Sequence, residues 1–285
     1  MEFKKMGRSL AITFQDPFPT TTFLIFGENR VYVCDTFLGP KSMEKISNTI
    51  WERGADDKPI VVFNSHADWD HIWGNCYFKD SMILAHEKCK IRIQEEGPSD
   101  LEKNRMHIQG NVILTPPTVT FGTNYVFDDD EVEFFYSPGH TIDSSSCYDH
   151  TEKILFVGDN VESDIPYVNS LDIDTYISTM QGYLNRVWEY MVCGHDPVQI
   201  DEKLLKKNIE YLQQLKEWKV DFDKMTEKAL HVHLYTLKIL VDQILTKGIQ
   251  QEVRPHYLEG LSILEEMELN EKVSEYIDQF RRVTG

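Results

Sequence analysis

A short segment of the chain holds four side chains that can bind metal ions. His66, Asp68, Asp70 and His71 fall within six positions, directly after the apolar run at 59–63. Imidazole nitrogens and carboxylate oxygens are the ligands that hold Zn, Fe or Mn in proteins. The apolar run predicts a buried strand, and the loop beyond a strand can turn several side chains toward one point. The segment therefore predicts either a metal site or a polar turn.

Three further ligand-capable residues follow apolar runs in the same way. His140, Asp159 and His195 each come directly after a glycine, just beyond a run that predicts a strand. Loops that follow strand ends are where binding and catalytic residues are commonly placed on a rigid scaffold. Four such loops can deliver seven ligand-capable side chains to one edge of a sheet. This repeated arrangement favours a metal site over a polar turn.

The elements that must position these loops are short strands alternating with helices. Hydrophobic and β-branched runs predict strands at 10–14, 22–26, 31–35, 59–66, 82–86, 111–128, 131–137, 153–159 and 189–192. Helical periodicity appears between some of them, at 41–52 and 172–186. Alternation of this kind predicts an α/β architecture with mixed sheets.

The last third of the chain has a different pattern. From Asp201 onward, apolar residues recur at spacings of three and four, which predicts amphipathic helices near 205–215, 230–244, 257–264 and 273–280. No low-complexity linker separates them from the first part. We place the boundary between a catalytic domain at 1–218 and a helical extension at 219–285.

The ordered motifs resemble those of the metallo-β-lactamase-fold superfamily of dinuclear metallohydrolases. The first family motif is H-x-H-x-D-H, and a lone His, a bridging Asp and a final His follow it. The matches here are His66, Asp70, His71, His140, Asp159 and His195. Asp68 stands where the family usually has its second histidine, and Asp35 matches an acidic position with a supporting role. The resemblance covers about residues 10–218 and implies a four-layer αβ/βα sandwich with the helical segment outside it.

The resemblance also implies a role for each residue. The first metal would be held by His66, Asp68 and His140, the second by Asp70, His71 and His195, and both by Asp159. Two divalent ions, with zinc as the first expectation and iron or manganese as alternatives, would lower the pKa of a shared water. The resulting hydroxide, oriented by Asp70 as the catalytic residue, would attack an ester, thioester, lactone or phosphodiester. Because added helices cover the metal cleft in several relatives, we expect 219–285 to help form the substrate cleft.

The carboxylate at position 68 departs from the usual motif. A further hard, anionic ligand favours Fe or Mn relative to Zn. Flavodiiron proteins share this fold and carry a glutamate there, so a di-iron protein that handles oxygen or NO is an alternative function. No flavin-binding domain is recognisable after the helical part. A non-catalytic ligand-binding relative is a further alternative, which the intact ligand set opposes.

Charge and composition narrow the expected partners. The chain has 29 Lys and Arg against 47 Asp and Glu, for a net charge of −18, which repels nucleic acid and anionic membranes. Five cysteines without C-x-x-C spacing, no export signal and no apolar run of membrane length predict a cytoplasmic protein. We therefore expect a small-molecule substrate, and a thioesterase similar to glyoxalase II is one option. The sequence leaves the oligomeric state open, a homodimer included.

Overall fold

The computed structural model describes residues 1–217, 219–221 and 225–247. The strands of this part are β1 (Glu2–Met6), β2 (Ser9–Phe14), β3 (Thr20–Phe26), β4 (Val31–Cys34), β5 (Ile60–Asn64), β6 (Met82–His86), β7 (Val119–Phe121), β8 (Asn124–Phe127), β9 (Val132–Tyr136), β10 (Ser145–Asp149), β11 (Ile154–Gly158) and β12 (Tyr190–Cys193). The helices are α1 (Pro40–Glu52), α2 (Trp69–Ile72), α3 (Glu87–Glu95), α4 (Gly97–Lys103), α5 (Ile173–Asn185), α6 (Lys203–Lys216) and α7 (Glu227–Lys247). Short 3₁₀ turns occupy Trp73–Phe78 and Arg105–His107.

The strands form two mixed sheets. The first sheet has seven strands in sequence order from β1 to β7, antiparallel up to β4 and parallel from β4 to β7. The second has five strands in the order β12-β11-β10-β9-β8, and only the β11–β12 pair is parallel. Consecutive strands therefore lie side by side almost throughout, as short connections favour.

Three apolar clusters hold the layers together. Between the sheets, Phe23 and Phe63 of the first sheet pack with Phe134 and Phe156 of the second. The outer face of the first sheet packs on α1 and α3, and that of the second packs on α5, α6 and α7. Each sheet thus buries both faces, and the predicted four-layer αβ/βα sandwich is confirmed.

Strand direction brings the predicted loops to one edge of the sandwich. Strands β4 and β5 run parallel in the first sheet, and β9, β11 and β12 share one direction in the second. At this edge the backbone N–H of Ser145 donates to the carbonyl of Ser65 at 2.8 Å, and that of Thr21 donates to Gly194 at 2.7 Å. These two bonds join the sheets beside the candidate site.

The helical segment after residue 218 is described only in part. Helix α7 buries Ala229, Val232 and Leu237 in the same apolar cluster as α5 and α6, so its described residues share the core of the preceding sandwich. The helices expected near 257–264 and 273–280 lie outside the described residues. Within the described part, no helix combines the length and apolar character that crossing a bilayer requires.

Candidate metal centre

The structure brings all seven residues of the predicted ligand set together. His66, Asp68, Asp70 and His71 follow β5, whereas His140, Asp159 and His195 lie in the loops after β9, β11 and β12. Helix α2 begins directly after Asp68, so Asp70 and His71 lie in its first turn. Most of these side chains are buried, and Asp68 and His195 are about a quarter exposed, at 27% and 24%. The group is therefore enclosed but reachable from one side.

One half of the group forms a first cluster around His66. The Nε2 atom of His66 lies 3.6 Å from Asp68 Oδ2 and 3.7 Å from Asp159 Oδ2. The Nε2 atom of His140 lies 3.3 Å from Asp68 Oδ2 and 4.0 Å from Asp159 Oδ2. Asp68 therefore points one carboxylate oxygen into the cluster at the place where the family motif has histidine.

The other half forms a second cluster that shares Asp159. The Nε2 atoms of His71 and His195 are 3.3 Å apart, and they lie 3.3 and 3.0 Å from Asp159 Oδ2. Asp70 Oδ2 is 3.6 Å from His71 Nε2 and 3.4 Å from His195 Nε2. The same oxygen of Asp159 thus faces both clusters, which is the position of a bridging ligand.

Hydrogen bonds at the outer ring nitrogens orient the four imidazoles. The Nδ1 atoms of His195 and His140 face the carbonyls of Pro19 at 2.6 Å and Tyr167 at 3.4 Å. A carbonyl can only accept, so each Nδ1 carries a proton and each Nε2 is the atom left to bind a cation. Both Nε2 atoms are directed into the clusters.

Asp35 and Ser65 orient the other two histidines. Asp35 accepts from His71 Nδ1 at 2.8 Å and from the Ser65 hydroxyl at 2.7 Å. Because the Ser65 proton is engaged, Ser65 Oγ accepts from His66 Nδ1 at 2.9 Å. Asp35 is fully buried, so its carboxylate stabilises the orientation of both rings. The supporting role expected for Asp35 agrees with this placement.

The electrostatics of the group favour positive charge. Burial opposes the charged form of His195 and His140, but Asp159 with Asp70, and Asp68 with Asp159, raise their pKa values to about 10 and about 9. Burial likewise opposes ionisation of Asp159, yet His195, His71 and His66 hold its pKa well below its usual range. Carboxylates and imidazoles so arranged attract cations, either protons or metal ions.

One unpaired buried atom points to the same conclusion. Among the described buried atoms that lack a hydrogen-bond partner is His66 Nε2, which faces the carboxylates of the first cluster. A buried polar atom without a partner costs free energy, and coordination to a metal ion would supply the missing interaction. The clusters formed by these residues could hold divalent metal ions.

Gly194 makes room for the shared carboxylate. A Cβ atom at Gly194 would lie 1.9 Å from Asp159 Oδ1 and 3.1 Å from His71 Cε1. The glycine that precedes His195 is therefore required by the space that Asp159 occupies.

Two residues that the sequence did not single out also belong to this region. Glu162 groups with Asp159 and His195, and burial together with the Asp159 charge raises its pKa to about 7. Arg92 of α3 donates to Asp68 Oδ1 at 3.2 Å. Glu162 stands only three positions after Asp159, which was the available signal for it. No signal in the sequence pointed to Arg92, because its contact with Asp68 depends on how α3 packs.

A cleft of about 620 Å³ opens beside the first cluster. Its walls come from α2–α4, the loop after β9, the loop before α5, and α7, and they include Trp69, Glu96, Asp100, Asn104, Ile142, Asn169, Tyr235 and Ile239. On the other side of Trp69, Phe18 contacts both Trp69 and His195, with ring centroids 5.7 and 6.1 Å apart. The site therefore has an open, partly acidic side and an aromatic side.

Comparison with known proteins agrees with this architecture. The sequence profile of the metallo-beta-lactamase superfamily matches residues 15–220. No curated protein sequence matched at a significant level. Among solved structures, DIM-1 metallo-beta-lactamase exposed to ceftazidime aligns with a TM-score of 0.60 at 19% identity, over 75% of this chain and 97% of that one.

A second structure gives the same picture. A metallo-beta-lactamase from Pontibacter korlensis aligns with a TM-score of 0.60 at 20% identity, over 74% of this chain and 98% of that one. At identities this low, the structural likeness shows only the fold. The family profile spans well over half of this chain and therefore shows the family. From its profile match, its four-layer sandwich and its clustered His and Asp side chains, this chain belongs to the metallo-beta-lactamase superfamily.

Proposed function

We propose that the protein is a metal-dependent hydrolase with two divalent ions in the candidate centre. In this proposal His66, Asp68 and His140 hold the first ion, and Asp70, His71 and His195 hold the second. Asp159 serves both. The observation that carries the proposal is the common orientation of the histidines. All four direct Nε2 toward carboxylate oxygens of the clusters, and each Nδ1 faces an oxygen that can accept its proton.

The distances support this fit. Zinc holds imidazole and carboxylate ligands at about 2.0–2.2 Å, which places neighbouring ligand atoms of a tetrahedral site about 3.3 Å apart. The ligand atoms of the second cluster are 3.0–3.6 Å apart. Those of the first cluster are 3.3–4.0 Å apart, which is somewhat wider. These separations support the assignment of both clusters as metal sites, the second more closely than the first.

The protein side chains have distinct tasks in the proposed hydrolysis. Divalent ions held by these residues would supply acidification of water and polarisation of the scissile group. Asp70 lies at the edge of the second cluster, where its carboxylate can accept a proton from the attacking water and orient it. Trp69 and Phe18 pack against each other beside His195, and the cleft beside Asp68 would admit the substrate.

The lining of the cleft favours uncharged or cationic substrates. Besides Asp68, the carboxylates of Glu96 and Asp100 face the cleft, and Arg92, the one cation among the described residues that line it, is paired with Asp68 and Glu96. Burial raises the pKa of Asp100, and the charges of Asp68 and Glu96 add to this while Lys103 opposes it. These carboxylates disfavour anionic substituents in the part of the cleft that lies away from the proposed ions, so we propose carboxylic esters, thioesters or lactones of small molecules as the substrate class.

Metal analysis followed by a substrate screen tests this function. We expect about two metal ions per chain after reconstitution, and hydrolysis of chromogenic esters or thioesters above phosphodiesters. A cyclic amide belongs in the screen because the structural neighbours are metallo-beta-lactamases. Asp159→Asn should abolish binding of at least one ion, whereas His150→Gln, at a histidine outside the clusters, should change neither metal content nor rate. Absence of bound Zn, Mn or Fe in the reconstituted protein would refute the proposal.

A di-iron redox function is the second candidate, and Asp68 is the observation that favours it. With Asp68, Asp70 and Asp159, the clusters hold three carboxylates beside four imidazoles, and oxygen-rich ligand sets suit Fe or Mn better than Zn. Oxygen consumption by the iron-loaded protein in the presence of a reductant, compared with the zinc-loaded protein, separates the two functions. The redox function would be refuted if the zinc-loaded protein hydrolyses substrate as fast as the iron-loaded protein and the iron-loaded protein consumes no oxygen.

A further inference from the structure

Arg92 connects Asp68 to a buried carboxylate on the opposite sheet. Its Nη2 lies 3.2 Å from Asp68 Oδ1, and its Nη1 lies 2.5 Å from Asp143 Oδ1. Asp143 is fully buried in the loop after β9, and its other oxygen accepts the backbone N–H of Ala67 at 2.8 Å. Asp143 therefore fixes both the guanidinium and the backbone between His66 and Asp68.

The two oxygens of Asp68 have separate surroundings. Oδ2 faces His66 and His140 in the first cluster, at 3.6 and 3.3 Å. Oδ1 faces Arg92 on the outer side. The Asp68 side chain is 27% exposed and a carboxylate rotates easily about its last bond, so a fixed partner at the outer oxygen holds the group with its other oxygen inward.

The same arrangement secures the histidines. Each ring has its outer nitrogen engaged by a protein oxygen, so that the inner nitrogen is presented to the cluster. Asp68 needs a hydrogen-bond donor on its outer side, because its outer atom is a carboxylate oxygen, which can only accept. A cation supplies that partner, and the planar guanidinium can bind Asp68 and Asp143 at once.

We propose that Arg92 is the positioning residue that adapts the first metal position to a carboxylate at residue 68. It holds Asp68 with Oδ2 inward as a single-oxygen ligand, and it offsets part of the charge that a carboxylate adds relative to imidazole. The inference rests on the proposed metal centre. It predicts that Arg92 matters for metal binding only while residue 68 is an aspartate.

A double-mutant cycle in metal binding tests this dependence. Co(II) is titrated into the apoprotein and removed with a chelator, and visible absorption reports the two sites, for the wild type, Arg92→Gln, Asp68→His and the double variant. We expect Arg92→Gln to weaken the more affected site by about 10–100-fold, as loss of a partner behind a ligand does. In the Asp68→His background the same substitution should change affinity by no more than about twofold, the normal scatter of independent substitutions.

The controls separate positioning from general stability. Arg186→Gln breaks an arginine–carboxylate pair of similar exposure, with Glu133 at 2.7 Å, away from the clusters, and it should leave both affinities unchanged. Arg92→Lys retains the positive charge but not the planar guanidinium, so its metal affinity should lie between those of Arg92→Gln and the wild type. If Arg92→Gln does not fold, Arg92→Lys in the two backgrounds provides the same cycle.

Each outcome has a defined meaning. Equal losses in both backgrounds, or no loss in the native background, would overturn the role of Arg92 and leave the metal centre standing. A wild-type protein that binds no Co(II) would instead refute the proposed function, and the Arg92 inference with it.

Discussion

Replacing Gly194 with alanine should impair metal binding with little effect on the apoprotein. The added Cβ would lie 1.9 Å from Asp159 Oδ1, whereas real Cβ contacts stay above 3.0 Å, so that oxygen must retreat by about 1 Å. Rotating the carboxylate off its preferred rotamer costs about 0.5–1.5 kcal/mol, which the fold can absorb. The same shift displaces the oxygen that faces both clusters, and a misplacement of about 1 Å costs on the order of 100-fold in rate.

The assay compares metal affinity, turnover of the best ester substrate, and urea denaturation of the apoprotein. Gly182→Ala is the matched control, because a Cβ there meets nothing within 4 Å, and Gly182 lies within α5. That control should stabilise the fold by up to about 1 kcal/mol without changing metal affinity. If Gly194→Ala binds two ions at wild-type affinity and keeps its rate, the space at Gly194 is not what sets the position of Asp159.

Three further predictions concern Asp68, α7 and His233. Asp68→His should shift metal uptake from an equimolar Zn, Fe and Mn mixture toward Zn, and an unchanged ratio would show that Asp68 is not a ligand. Tyr235→Ala should raise KM by roughly fivefold at unchanged kcat, since about 1 kcal/mol of contact with the substrate is lost; an unchanged KM would contradict α7 as a cleft wall. Burial lowers the pKa of His233 to about 4, so the unfolded chain binds the extra proton first, and stability falls as pH drops below about 6.5. His233→Gln should remove about 2 kcal/mol of that loss between pH 7 and 4.5 in urea denaturation, and an identical slope would refute the assignment.

The strands that carry the site were predictable from the sequence because they are apolar and short. The runs at 59–66, 153–159 and 189–192 correspond to β5, β11 and β12, whose ends lead to ligand-capable residues. Hydrophobic side chains buried on both faces leave a continuous apolar run, which is the clearest signal of such a strand. The order of the motifs then implied which loops meet.

Other strands gave no such signal. β1 is an edge strand with Glu2, Lys4 and Lys5 exposed, and charged residues are common on sheet edges. β10 reads SSCYD, and its buried serines are satisfied by partners such as Tyr183, which lies far along the chain. The run at 111–118 was predicted as strand, yet β-structure begins only at Val119, because two consecutive prolines at 116 and 117 interrupt the preceding segment. Long-range partners of this kind cannot be inferred from local pattern.

The candidate site showed the same division. The sequence pattern predicted that the seven ligand-capable side chains meet at one edge of a sheet. It did not show that Arg92 reaches Asp68 across two elements of the fold. Nor did it show that Asp143 closes the connection from the other sheet. Both contacts depend on tertiary packing, which also determines how a carboxylate can replace a histidine.

The bonds from Ser145 to Ser65 and from Thr21 to Gly194 give the two sheets a common seam at the candidate centre. Each cluster draws side chains from both sheets, His66 with His140 in one and His71 with His195 in the other. An ion held there would act as a crosslink between the two halves of the sandwich. Its binding free energy would appear as cooperativity of unfolding, since separating the sheets would require releasing the ion. Docking of the two sheets and loading of the metal would then be one thermodynamic event.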